Sequence, residues 1–222
     1  RKYLTRIKAG AERMATMTDD LTREAGVEEQ WSGPQRQPVD VNGLIEATVA
    51  GSHCQLEDRE LSLDLDLSDD LPAIQADPDH LRHVLSHLLS NACLASTVGG
   101  QVMVQAAQPP SARLDREELS LNGDGFVVVS ISDSGGGLSE EALTRVFDRA
   151  RPSRTPAGLG ESGAGLSLVR TLVEAHGGRL WVDSEKGVGT TFSFLLPVND
   201  VGEHAGVEAE AVAELTQPEQ PG

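Results

Sequence analysis

Basic residues are scarce in this sequence. Eighteen Lys and Arg stand against 35 Asp and Glu, giving a net charge of −17 and an isoelectric point near 4.6. That balance excludes nucleic acid or an anionic membrane surface as a generic partner. A polyanionic ligand such as a nucleotide would need a local cluster of positive charge or a metal. Cysteine is nearly missing too. Cys54 and Cys93 have neither CxxC spacing nor a disulfide-rich pattern, which points to a reduced, cytoplasmic setting. No apolar run approaches the roughly 18 residues of a membrane span, and no signal-peptide pattern opens the chain. Internal repeats are absent, and so is any GxxxxGK[ST] phosphate loop. The chain opens on Arg1-Lys2-Tyr3 in mid-pattern, so it reads as a fragment, with an upstream sensor or membrane region left open.

What is present fits a globular protein of one or two domains, with 38% hydrophobic and 24% charged residues in 222. Residues 1–29 carry Leu4, Ile7, Ala11, Met14, Thr18, Leu21 and Ala25 at alternating steps of three and four, a heptad seam that predicts a long helix pairing with other helices. A linker, residues 30–39, contains Gly33, Pro34 and Pro38. Val41 to Gly51 predicts a short helix capped by Asp40 or Asn42. Strict alternation from Leu61 to Leu67 predicts a half-buried strand. Asp77-Pro78 supplies a cap and a first-turn proline for a helix whose apolar stripe is Leu81, Val84, Leu85, Leu88, Leu89 and Ala92.

Strands are predicted over Gln101–Ala106 and Phe126–Ser132, joined by a polar loop of about 20 residues that is expected to be mobile. A loop rich in Gly, Arg, Ser, Thr and Pro covers residues 148–165. It leads to a helix from about Leu166 to Ala175, stopped by Gly177-Gly178. Arg179–Ser184 and Thr190–Leu196 predict a closing strand pair. Residues 199–222 form an acidic tail expected to be disordered.

Two stretches bear on chemistry. Strand Phe126–Ser132 runs into Asp133-Ser134-Gly135-Gly136-Gly137, followed at once by the helix signal Leu138-Ser139-Glu140-Glu141. Three successive glycines are costly in backbone entropy, so a close backbone approach is expected there. Asp133 is placed to accept a hydrogen bond from an exocyclic amine, which selects adenine over guanine. Gly135 and Gly137 would let the backbone lie against ring and sugar. Further on, Gly163-Ala164-Gly165 opens a helix. Its free N–H groups and dipole favour a phosphate, while the lack of a preceding strand argues against a dinucleotide fold.

Four stretches now stand in one order: Asn91 on a helix, Asp133-Ser134-Gly135-Gly136-Gly137, Gly163-Ala164-Gly165, and Gly189-Thr190-Thr191. They resemble the N, G1, G2 and G3 boxes of the GHKL ATPases, a superfamily that includes gyrase, heat-shock chaperones, mismatch-repair ATPases and sensor histidine kinases. Val146-Phe147 resembles the F box between G1 and G2. The match runs over about residues 40–198, and the segment LSLVRTLVEAHGGRLWVDSEKGVGTTFSFLLP is most similar to bacterial sensor histidine kinases.

The resemblance implies an α/β fold, a two-layer sandwich of a mixed sheet with helices on one face, preceded by a long dimerisation-type helix at 1–29. It implies ATP and Mg²⁺ as ligands, with Asn91 supplying an oxygen to the metal. Asp133, Gly135, Gly137, Gly163, Gly165, Leu166 and Thr190 are the implied nucleotide-binding residues. His87, one turn before Asn91, stands where relatives carry Asn or an acid that orients or activates the attacking group. Leu94 replaces a basic residue that touches phosphate in many relatives. The compensating cation is sought among Arg149, Arg151 and Arg154, with Arg149 taken as catalytic. His83 and His87 have the i, i+4 spacing of a zinc pair, but no third ligand is placed for them. His176, before Gly177-Gly178, is read as a helix C-terminal residue interacting with the dipole.

By this resemblance the chain is expected to be the catalytic core of a two-component sensor histidine kinase. The core would pass the γ-phosphate of ATP to a histidine on a bundle helix outside this sequence, act as a homodimer through its N-terminal helix, and serve a response regulator. Contact with nucleic acid or membrane is not expected of this region, although the full-length protein is allowed a membrane anchor. Two alternatives are weighed beside it: a degenerate GHKL module that regulates a partner without kinase activity, and an anti-sigma-type protein serine kinase. The heptad helix counts against the second, and His87 and Leu94 sustain the first.

Overall fold

Alternation of apolar and polar side chains decides which face of each strand is covered, and here it divides one sheet cleanly. The computed structural model describes residues 33–51, 56, 59–109, 125–147 and 163–198. Strands β2 (Ser62–Leu67), β4 (Gln101–Ala107), β5 (Phe126–Asp133), β6 (Arg179–Glu185) and β7 (Gly189–Pro197) form a five-stranded sheet in the order β2-β4-β5-β7-β6. The β2–β4 pair is parallel and the other pairs are antiparallel, so the sheet is mixed as expected.

On one face, Val102 and Val104, Val127, Val129 and Ile131, Leu180, and Phe192, Phe194 and Leu196 are buried in the core cluster. Helices α1 (Val41–Gly51), α2 (Pro78–Ala95) and α4 (Gly163–Ala175) carry the other half of that core, with α2 supplying Leu81, Val84, Leu85, Leu88 and Leu89. The anticipated stripe is therefore the buried one. On the opposite face the middle of the sheet is a hydroxyl ladder, with Ser130 paired to Ser193 and Ser132 to Thr191, each at 2.8 Å.

Three features depart from the expectation. Residues 37–39, read as linker, form strand β1 (Gln37–Val39), which pairs antiparallel with β3 (Ile74–Ala76). Both strands are three residues long, too short for any alternation to register. Helix α4 starts at Gly163, three residues earlier than expected. Asn42 does not act as a cap to α1; its side-chain N–H donates to the Ser68 carbonyl at 2.8 Å. The helix signal after the three glycines is met by the single turn α3 (Glu140–Leu143), N-capped by Ser139. The expected helix over 1–29, the loop 110–124, the segment with Arg149, Arg151 and Arg154, and the tail 199–222 lie outside the described residues.

Candidate functional site

The C-terminal half of α2, the turn after β5 and the first turn of α4 come together at one end of the sheet. Asp133 ends β5 and is buried at 8% exposure. Its Oδ1 accepts the Gly135 N–H at 2.8 Å, closing the turn on itself. Burial pushes the Asp133 carboxyl up from its ordinary value, against the opposing pull of the Gly135 and Thr190 backbone N–H groups.

The turn is also fastened from outside. Gln101 N–H donates to Ser134 Oγ at 2.8 Å, and Ser96 bridges to Gly135. On the far side, Leu138 N–H donates to Ser184 Oγ at 2.8 Å. The same hydroxyl reaches the Gly189 carbonyl and Thr190 Oγ1, both at 2.9 Å. One serine thus joins the turn after β5 to the turn before β7. Sequence reading missed it, because a serine on an edge strand carries no motif; only its register opposite Thr190 reveals the role.

The glycines also have a reason within the chain itself. A Cβ on Gly135 would lie 2.6 Å from Asp133 Oδ1 and against the Ala95 carbonyl. Gly137 has φ +64°, and its Cβ would run into the backbone carbonyl of Glu185. Both collisions are with the protein itself, so the turn requires glycine whether or not a ring and sugar lie beside it.

Asn91 and His87 lie one turn apart on α2. Asn91 is buried at 8% exposure. His87 is partly buried, and its ring meets the first turn of α4: a Cβ on Gly165 would stand 2.7 Å from His87 Nε2. Burial holds the His87 pKa down at about 4. Held below the ordinary histidine value of 6.5, the imidazole is therefore neutral near pH 7. A base that weak is matched to orienting a partner rather than to capturing its proton.

His83 and His87 stack with centroids 6.3 Å apart. Among the described residues no group of three His, Cys, Asp or Glu could hold a metal ion. Leu94 is partly buried at the end of α2, where Arg59 Nη1 donates to the carbonyls of Cys93, Leu94 and Ser96 at 3.1, 2.9 and 3.2 Å. That guanidinium neutralises the negative end of the helix, and no local pattern around Arg59 announced it. Thr190 is buried and in register with Asp133 across the β5–β7 pair, so these two expected site residues are neighbours. Gly163 and Leu166 fall in the first turn of α4, with Gly165 against His87. Arg149 lies outside the described residues.

This is the architecture of an ATPase-type α/β sandwich. Residues 76–200 match the family of histidine kinase-, DNA gyrase B- and HSP90-like ATPases, and the chain belongs to that family. Among curated relatives, it is 35% identical over 188 residues to the adaptive-response sensory kinase SasA of Synechococcus elongatus, covering 84% of this chain and 44% of the relative. It is 37% identical over 163 residues to the sensor histidine kinase ZraS of Escherichia coli, covering 73% of this chain and 31% of ZraS. The chain thus spans less than half the length of these relatives. Among solved structures, full-length ShkA in complex with AMPPNP superposes with a TM-score of 0.66 at 25% identity, covering 89% of this chain and 38% of that one. The nucleotide-free catalytic domain of ThkA shares the fold with a TM-score of 0.60 at 21% identity, covering 74% of this chain and 96% of that domain.

Proposed function

We propose that this chain is the ATP-binding catalytic core of a sensor histidine kinase, and that its product is a phosphohistidine on a segment supplied from outside the sequence. The observation that carries the reading is the buried, internally braced Asp133 in register with Thr190, its turn bridged through Gly135 to Ser96 at the end of the helix that carries Asn91. The SasA and ZraS names and the AMPPNP complex of ShkA support it. Asp133 accepts the exocyclic amine of adenine through the oxygen that does not hold Gly135. The α4 N-terminus at Gly163, Gly165 and Leu166 receives phosphate oxygens.

The residues present fit Mg²⁺ in a limited way. A single buried carboxamide, Asn91, suits an ion that keeps most of its ligands as water and phosphate oxygen. When bound, the metal would neutralise charge on the phosphates. Neutral His87 holds the incoming acceptor imidazole in line, and Arg149 is the cation expected over the γ-phosphate. Residues 1–29 are assigned to the second helix of a dimerisation bundle, residues 40–198 to the catalytic domain, and a response-regulator receiver domain to the role of downstream partner.

The test supplies the acceptor in trans. Purified chain, Mg²⁺ and γ-labelled ATP should leave the chain itself unlabelled at acid-labile sites. Adding a separate acceptor helix from a sensor kinase should give acid-labile label on that helix. Nucleotide binding without any transfer would favour the regulatory-module reading that Leu94 keeps open, and absence of nucleotide binding would reject both.

A further inference from the structure

Helices α2 and α4 run antiparallel and touch at both ends. At the site end, Gly165 packs on His87 without room for a methyl group. About 16 Å away along α4, a second set of contacts joins the same two helices. His176, just past the end of α4 and buried at 2% exposure, accepts the Asp77 backbone N–H at Nε2, 3.0 Å away. Its Nδ1 lies 2.7 Å from the Leu172 carbonyl. With Nε2 accepting, Nδ1 must carry the proton and donate, so the ring is neutral. His176 thus meets the helix C-terminus as a neutral ring bonded to the Leu172 carbonyl.

The linker fastens to both helix ends at this point. Gln35 N–H donates to Asp77 Oδ2 at 3.0 Å, and Arg36 Nη2 donates to the Ala175 carbonyl at 3.1 Å. Neither bond is needed to cap α2, because Asp77 Oδ1 already accepts the Asp79 and His80 N–H groups at 3.0 and 3.2 Å. Both reach far along the sequence, over 42 and 139 positions, to join the ends of two different helices. Together with His176, they close a ring of contacts around the end of the helix pair opposite the site.

We propose that Gln35 and Arg36 form a latch through which the segment preceding the domain governs the nucleotide site. Packed helices shift as rigid bodies, and the close approach of the His87 ring to Gly165 passes a change of tilt from one helix to the other. Docking the linker holds α2 and α4 together at the His176 end. Releasing it changes how Asn91 and His87 face the first turn of α4. The consequence for ligand affinity rests on the nucleotide reading above, whereas the mechanical coupling does not. The coupling is reciprocal: a ligand that draws the two helices together at the site must favour the docked linker.

The test uses the full 222-residue chain with Arg36→Ala, and separately with Gln35→Pro, which removes the backbone donor and is compared with Gln35→Ala, which keeps it. Amide hydrogen exchange without nucleotide is read first. Coupling predicts about 3- to 10-fold faster exchange at Ser167–Arg170 and Asn91–Ala95 in Arg36→Ala, and in Gln35→Pro relative to Gln35→Ala, with the sheet amides unchanged. Calorimetry with Mg-AMPPNP should then show affinity weakened by about the same factor. In the unmodified chain, Mg-AMPPNP should slow exchange at the Gln35 amide. Faster exchange confined to residues 33–40 and 77–80, or spread evenly over the sheet with a lower melting temperature, would overturn the latch. If the unmodified chain does not bind Mg-AMPPNP, the nucleotide reading fails, and the exchange comparison still decides whether the two ends are coupled.

Discussion

Asp133 shows how much one buried carboxylate is asked to do. One oxygen closes its own turn on Gly135, the Thr190 backbone N–H also draws on the carboxylate, and the proposed function asks the same group to meet a ligand. Asp133→Asn keeps an oxygen for the Gly135 N–H but offers an NH₂ group to an incoming amine. The variant should fold with stability within about 1 kcal/mol of the parent, yet lose on the order of 1–3 kcal/mol in adenine nucleotide binding by calorimetry. Unchanged affinity would remove Asp133 from the site. The glycines make a sharper contrast. Gly99 and Gly137 both have positive φ, +76° and +64°, but a Cβ meets nothing within 4 Å at Gly99 and the Glu185 backbone at Gly137. Gly99→Ala should cost about 1 kcal/mol from conformation alone. Gly137→Ala adds a backbone collision and should cost about 3 kcal/mol or more in urea unfolding. Equal losses in the two variants would mean that the turn relaxes freely.

At the scale of elements, the site depends on two turns being held together, and Ser184 is the tie. Ser184→Ala leaves the Leu138 N–H without its acceptor and Thr190 Oγ1 without its neighbour. The expected loss is about 1–3 kcal/mol of stability, with weaker nucleotide binding as the turn after Asp133 loosens; stability within about 0.3 kcal/mol of the parent would refute the tie. This brace was invisible in the sequence because it depends on strand register, which sets residues 46 positions apart side by side. The long elements were legible for the opposite reason. The stripe of α2, the alternation of β2 and the paired glycines after α4 are each local signals repeated over many residues. Strands β1 and β3 escaped because three residues cannot display a period. The role of His176 escaped because its partner, Asp77, is 99 positions away and is itself readable only as a helix cap. The four glycine- and asparagine-bearing stretches are legible in the sequence, but the packing of Gly135 and Gly137 against Asp133, Ala95 and Glu185 is not. A sequence does not say whether a glycine makes room for a ligand or for its own chain.

For the molecule as a whole, the imidazoles of partly buried His87 and buried His176 set a response to acid that can be worked out with its sign. Burial first, and for His176 the nearby His80 and Arg36, hold His87 and His176 below the ordinary value of 6.5. Asp77 and the Leu172 carbonyl pull the other way at His176 without prevailing. Below pH 6.5 the unfolded chain therefore binds protons that the folded chain refuses. Stability is intact above that pH and declines as the pH falls. For His87 the decline ends near its folded value of about 4, after a loss of up to about 3 kcal/mol. Asp133 acts in the opposite direction: burial raises its carboxyl, so protonation at low pH favours the folded form. Repulsion within a chain of net charge −17 is also relieved by acid, so the measurement belongs in salt high enough to screen exposed charges. Under those conditions the urea midpoint should fall steadily from pH 6.5 towards 4. His87→Asn, the residue that relatives place there by resemblance, should flatten that fall by up to about 3 kcal/mol while leaving stability at pH 7.5 within about 1 kcal/mol. A parallel pair of curves would mean that His87 takes its proton freely in the folded state. The neutral imidazole against Gly165, and with it the orienting role assigned to His87, would then have to be abandoned.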